Sequence, residues 1–276
     1  MIGPIDCHAH VFTRALTMAP DARFLPKADA PIETYLALLD AHAIAGGVLV
    51  QPSFLGTDNF YLLAAVAQAP ERLRAVAVVA PTIAVEELNR LEAAGVVGIR
   101  LNVMGRAVPT LAEAPWRALI ERVAWRGWHI EVLAQGAQWA EILPELGAAG
   151  VRIVVDHFGR PQGGLACPGF RAILDAAGKA DLWVKLSAPY GGAGTAAGDC
   201  AQALLAALGP QRLVWGTDWP WLQHSEITDY GATRAWLDTW LPDPAVRNAV
   251  LAANPAALYG FGGGFGAAAG SWTGLV

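Results

Sequence analysis

Short unbroken apolar runs recur along the chain, separated by segments whose apolar residues return every three or four positions. The runs are Ile5–His10, Gly47–Gln51, Arg74–Ala80, Val96–Asn102, His129–Ala134, Arg152–His157, Leu182–Leu186 and Leu213–Gly216. A strand wetted on one face alternates apolar with polar residues; one buried on both faces does not, so these runs predict eight buried strands. Between them, Tyr35, Leu38, Leu39 and His42, and again Trp116, Leu119, Ile120 and Val123, carry the helical period. Gly95 and Gly127 stand where two of these helices would end, just ahead of the next apolar run.

Strand and helix in strict alternation imply parallel strands joined by right-handed crossovers. An open doubly wound sheet and a closed barrel both satisfy that pattern. No G-x-G-x-x-G follows the first strand, and eight units in 276 residues match barrel closure, so the expected fold is a single α/β domain, a (β/α)8 TIM barrel over residues 1–261. Ala245–Ala253 reads as one helix more, and 262–276, rich in Gly and Ala, as a flexible tail.

Composition narrows the function classes. With 54% hydrophobic and 16% charged residues, the chain has a large core to bury. A formal charge of −5 gives no general field for nucleic acid or an anionic membrane, and no apolar run reaches the roughly 18 residues of a span. Cys7, Cys167 and Cys200 form no C-x-x-C pair and leave an odd count, which argues against a disulfide framework. With no basic-then-apolar leader, the chain reads as cytoplasmic. Eleven tryptophans suffice both to fill barrel layers and to cover a homodimer contact, so the sequence leaves that contact open.

A barrel places its chemistry at the carboxyl ends of its strands. Strand one ends in His8-Ala9-His10, strand four in Arg100-Leu101-Asn102, strand six in Asp156-His157-Phe158-Gly159-Arg160-Pro161, and strand eight in Gly216-Thr217-Asp218-Trp219-Pro220. Taken singly, each has an ordinary explanation: a hydrogen-bonded histidine, a helix cap, a surface ion pair. Four such ends on one rim are harder to dismiss. His224, in the loop after strand eight, can also reach the mouth, whereas His42 on a helix and His129 at the far end of strand five read as structural.

Asp6-Cys7-His8-Ala9-His10-Val11-Phe12, Gly98-Ile99-Arg100-Leu101-Asn102, Asp156 to Pro161 and Trp215-Gly216-Thr217-Asp218-Trp219-Pro220 together resemble the amidohydrolase superfamily, in the branch of the 2-pyrone-4,6-dicarboxylate lactonases. The resemblance implies a distorted barrel that hydrolyses a lactone. Asp218 would be the base that activates water, His8, His10 and His157 would orient it and polarise the carbonyl, and Arg100 and Arg106 would hold substrate carboxylates. Asn102, Tyr190 and His224 complete the expected substrate contacts.

The chain departs from that branch at Leu133, where the pattern has a tyrosine, at Trp221, where it has a histidine, and over Ser187–Gly192, which lacks an arginine that Tyr190 or Arg160 would have to replace. The substrate is therefore expected to be a small carboxylated lactone, pyrone-like or derived from a sugar acid. Strand five offers no histidine at its carboxyl end and strand four offers Arg100 rather than an anion, so no metal is expected. The alternative is one divalent ion, zinc or manganese, on His8, His10, His157 and Asp218, serving a metal-dependent hydrolase or decarboxylase. A non-catalytic ligand-binding barrel is the remaining reading.

Overall fold

In the computed structural model, which describes residues 2–224, 226–227 and 229–262, the apolar runs form eight strands. These are β1 (Ile5–Ala9), β2 (Gly46–Val50), β3 (Leu73–Ala77), β4 (Val96–Asn102), β5 (His129–Leu133), β6 (Arg152–Val155), β7 (Leu182–Leu186) and β8 (Leu213–Trp215). They pair in sequence order, all parallel. The helices between them follow the expected alternation, from α1 (Ile32–Ala41) to α8 (Tyr230–Trp240). Gly95 and Gly127 end their helices at φ +93° and +66°, a backbone region that glycine enters without steric cost. The fold is a distorted TIM barrel.

The distortion lies at the seam between first and last strands. β8 has only three residues, so closure is completed beyond it: Asp218 N–H donates to His8 O and His10 N–H to Trp219 O, each at 2.8 Å. Asp6 fastens the same seam. Its fully buried carboxylate accepts from Thr217 N at 2.9 Å, Thr217 Oγ1 at 2.6 Å, Tyr230 Oη at 2.9 Å and His8 N at 3.2 Å. Burial pushes its pKa up, and these hydrogen bonds oppose the shift.

Two expected strands stop early for local reasons. β3 ends at Ala77 because the Asn59 amide takes both polar groups of Val78, donating to its O at 2.8 Å and accepting from its N at 3.1 Å. β6 ends at Val155 because His157, Phe158 and Arg160 turn to φ of +53°, +58° and +51°. The extra helix is longer than expected: Pro244–Asn248 leads through a π turn, Ala249–Ala253, into Asn254–Tyr259, where Pro255 has no amide to continue the ladder. The expected tail lies outside the described residues, save Gly262.

β1 carries a bulge between Asp6 and Ala9 relative to β2. One extra residue reverses which side chains face inward, so Cys7 joins the lower core and His8 and His10 face the mouth. That lower core unites Ile5, Cys7, Val76, Val154, Trp183 and Val214 with Leu258 and Tyr259 from the last helix and Phe261 just beyond it, which plug the barrel floor. The three cysteines are free and buried, and among the described residues no helix is long and apolar enough to cross a membrane.

Candidate active site

Above the apolar floor sits a buried charged layer. Lys185 on β7 pairs with Glu131 on β5 and lies 3.5 Å from Asp156 at the end of β6. Arg100 on β4 reaches the same pair, with Nη2 2.9 Å and Nε 3.3 Å from Asp156 Oδ2, and Nε 3.5 Å from Glu131 Oε1. Two cations face two carboxylates with almost no water access, so each is tolerable only through the others. Burial and the neighbouring Asp156 charge push Glu131 up to about 7 against the pull of Lys185 and Arg100. Asp156 stays well below the usual carboxylate range: burial opposes this, but Lys185, His8 and Arg100 outweigh it.

His8 stands on this layer. Its Nδ1 lies 3.0 Å from Lys185 Nζ, 3.3 Å from Asp156 Oδ1 and 3.6 Å from Glu131 Oε1. Neither of those two oxygens has a hydrogen-bond partner, so Nδ1 does not donate to them; it accepts from the ammonium, and the ring hydrogen resides on Nε2. Burial, reinforced by Lys185, pushes the pKa of His8 well below its ordinary value, so the ring is neutral.

The other imidazoles are oriented separately. His10 Nδ1 is 2.7 Å from Val50 O and His157 Nδ1 is 2.8 Å from Ser187 Oγ. Burial lowers the pKa of His157 to about 4. All three Nε2 atoms converge on Asp218 Oδ1, at 3.5 Å from His8, 3.6 Å from His10 and 3.9 Å from His157. The second oxygen of Asp218 accepts from Tyr190 Oη at 2.6 Å. Burial would raise the pKa of Asp218, but the surrounding imidazoles, His157 first and then His10 and His8, together hold it well below the usual range.

The expected substrate contacts divide. Tyr190 is at the centre, and His224 packs on its ring at 4.1 Å while its Nδ1 meets Glu226 at 3.0 Å. Arg100 is committed to Asp156 below the mouth, and Arg106 is exposed and paired with Asp21. Asn102 uses its side-chain oxygen on Met104 N at 3.1 Å. His42 stacks on Tyr230, and His129 packs at the floor against Tyr259 and beside Gly98, away from the mouth.

Sequence reasoning passed over Lys185, Glu131 and Ser187, and gave Asp6 and Asp156 no role. The available signal was a single charge inside an otherwise apolar strand, which must find a partner across the barrel.

Two sets of side chains bring possible metal-ligand atoms within 4.8 Å of one another: His8, His10 and Asp218, and His8, Asp156 and His157. An imidazole that binds a metal through Nε2 carries its hydrogen on Nδ1, as the partners of His10 and His157 permit. His8 does not conform, because the Lys185 ammonium already occupies Nδ1. That contact also blocks the second set, so the donor atoms do not fit a resident ion as they stand.

The amidohydrolase family profile matches residues 5–261, and the chain belongs to that family. It is 30% identical to D-galactarolactone isomerase of Agrobacterium fabrum, covering 93% of this chain and 91% of that one. It is 29% identical to the 2-pyrone-4,6-dicarboxylate hydrolase of Comamonas testosteroni, covering 93% and 90%. The crystal structure of a probable 2-pyrone-4,6-dicarboxylic acid hydrolase from Acinetobacter baumannii superposes with a TM-score of 0.90 at 33% identity, covering 94% of this chain and all of that one. A zinc-bound amidohydrolase from Burkholderia multivorans shares the fold at 20% identity and a TM-score of 0.76.

Proposed function

We propose that this chain opens the ring of a small carboxylated lactone by water attack, with Asp218 as general base. The observation that carries the reading is the division of labour between the two oxygens of Asp218: Tyr190 holds Oδ2, which leaves Oδ1 free to take a proton beneath three imidazoles. The names of two relatives, a lactone isomerase and a pyrone hydrolase, support a cyclic ester as substrate.

Water bound against Oδ1 gives its proton to Asp218 as its oxygen attacks the ring carbonyl. The Nε2 hydrogen of His8 is placed to polarise that carbonyl, and His10 and His157 border the same space. Collapse of the tetrahedral species breaks the ring C–O bond, and Asp218 returns the proton to the leaving alkoxide. A depressed pKa keeps this base ionised throughout the neutral range, at the cost of basicity. The neutral His8 ring, with its hydrogen on Nε2, suits donation to an oxyanion without itself changing charge. The Lys185 contact on His8 supports a metal-independent course.

Asp218→Asn keeps the shape of the side chain and removes the base. Against a panel of lactones the variant should fold normally and lose at least about a hundredfold in kcat; retention of more than about a tenth, a barrier change under roughly 1.4 kcal/mol, would overturn the assignment.

A further inference from the structure

Ser187 stands just past the carboxyl end of β7, two positions beyond Lys185, so strand alternation carries both side chains to the inner face, one layer apart. It is buried, and among the described residues its hydroxyl makes one hydrogen bond, with Nδ1 of His157 at 2.8 Å. His157 begins the turn after β6 at φ +53°, a conformation costly for a residue with a Cβ, and its ring rests against His8 with centroids 4.6 Å apart.

The direction of the Ser187 bond follows from both ends of the His157 ring. A hydroxyl that accepted from Nδ1–H would leave its own hydrogen buried without an acceptor, whereas one that donates to Nδ1 has it satisfied. At the other end, Nε2 faces Asp218 Oδ1 at 3.9 Å, and a carboxylate favours an N–H there over a lone pair. Both conditions place the hydrogen of the neutral ring on Nε2. His10 is the opposite case. Its Nδ1 partner is Val50 O, a carbonyl that only accepts, so the hydrogen stays on Nδ1 and Nε2 carries a lone pair. That lone pair lies 3.3 Å from Nε2 of His8 and accepts from its hydrogen. The three imidazoles around Asp218 are therefore two donors and one acceptor, and the outer partner of each ring decides which.

We propose that Ser187 is a positioning residue for the water attack: by donating to His157 Nδ1 it holds that ring with its Nε2 hydrogen directed at the space between the imidazoles and Asp218, where the lactone carbonyl develops negative charge. β7 then sets two rings from one strand, His8 through Lys185 and His157 through Ser187. His10, with no hydrogen on Nε2, accepts from the attacking water rather than polarising the carbonyl. The kinetic part of the inference rests on the lactonase reading; the state of the His157 ring is a property of the resting enzyme.

Histidine labelled with nitrogen-15 in the full-length enzyme reads the rings by NMR without turnover. His157 should show a hydrogen on Nε2 and an accepting Nδ1, and His10 the reverse. In Ser187→Ala, which removes only the hydroxyl, the Nδ1 signal of His157 should move downfield toward that of an unbonded ring nitrogen. Against the lactone panel, kcat of this variant should fall about tenfold with KM within about threefold. Ser187→Thr keeps a hydroxyl on the same carbon and should restore the Nδ1 signal and most of kcat; if its added methyl prevents folding, the wild-type and Ser187→Ala spectra still decide. A hydrogen on His157 Nδ1 in the wild type, an unmoved Nδ1 signal in Ser187→Ala, or a kcat loss below about twofold would overturn the proposal. Equal losses in Ser187→Ala and a folded Ser187→Thr would assign the effect to packing and overturn it as well. The expected His157 spectra, without ring opening of any lactone by the wild type, would instead uphold the hold of Ser187 on the ring and overturn the lactonase reading.

Discussion

The Lys185 ammonium, fully buried on β7, lies 3.0 Å from Nδ1 of His8 on β1 and so decides which nitrogen of that imidazole carries the hydrogen. The charged layer thereby reaches the mouth of the barrel through one tautomer. Removing Lys185 alone would strand Glu131 and Asp156 in the interior, a loss of about 3–5 kcal/mol.

The informative variant is therefore Lys185→Met combined with Glu131→Gln, which removes one charge of each sign. It should fold, show His8 as a mixture of tautomers by nitrogen-15 NMR, and lose roughly tenfold or more in kcat with KM within about threefold. A single unchanged Nε2–H signal would sink the tautomer argument.

Tyr190 stabilises the ionised form of Asp218 through its 2.6 Å hydrogen bond. Tyr190→Phe removes a donor to the anion, so the pKa of Asp218 should rise and the acid limb of kcat/KM move to higher pH, by about one to two units for a bond of that kind. The pH–rate profile checks it; an unmoved limb would mean that the limb belongs to another group.

Activity should survive exhaustive dialysis against a chelator, and added zinc or manganese should not raise it, because an ion on the three imidazoles would require His8 to exchange its hydrogen against the Lys185 ammonium. Loss on chelation with recovery on adding a divalent ion would restore the metal-dependent reading. Activity assays paired with elemental analysis decide between them.

His129 at the barrel floor is fully buried, and burial lowers its pKa to about 3. The unfolded chain binds a proton there below about 6.5 and the folded chain does not, so this site's contribution to stability is present above that pH and is lost as pH falls toward 3. Neither ring nitrogen has a hydrogen-bond partner to lose. His129→Phe should match the wild type near pH 7.5 and exceed it in denaturant midpoint at pH 5; equal acid sensitivity in both would exclude His129 as a source.

The barrel was legible in the sequence because burial on both faces leaves strands as pure apolar runs, and Gly95 and Gly127 punctuate the helices between them. The convergence of His8, His10, His157 and Asp218 was legible for a related reason, since each stands at a strand's carboxyl end. The charged layer was not. Whether Lys185 meets Glu131, or Arg100 meets Asp156 rather than a substrate, depends on residues 54 and 56 positions apart in sequence being brought together inside the barrel. The sequence pattern has no register for that distance. The pairing of Arg106 was hidden in the same way: its charge was visible, but Asp21, 85 residues away, was not an evident partner.

Asp6 clasps Thr217, and Thr217 is bonded covalently to Asp218. The joint that shuts the cylinder and the proposed base are thus one residue apart, so the enzyme has no slack in which the first can loosen while the second keeps its aim. Turnover becomes a gauge of circular integrity: under gentle denaturant, or after Asp6→Ala, catalysis should fade while the helical signal is still intact.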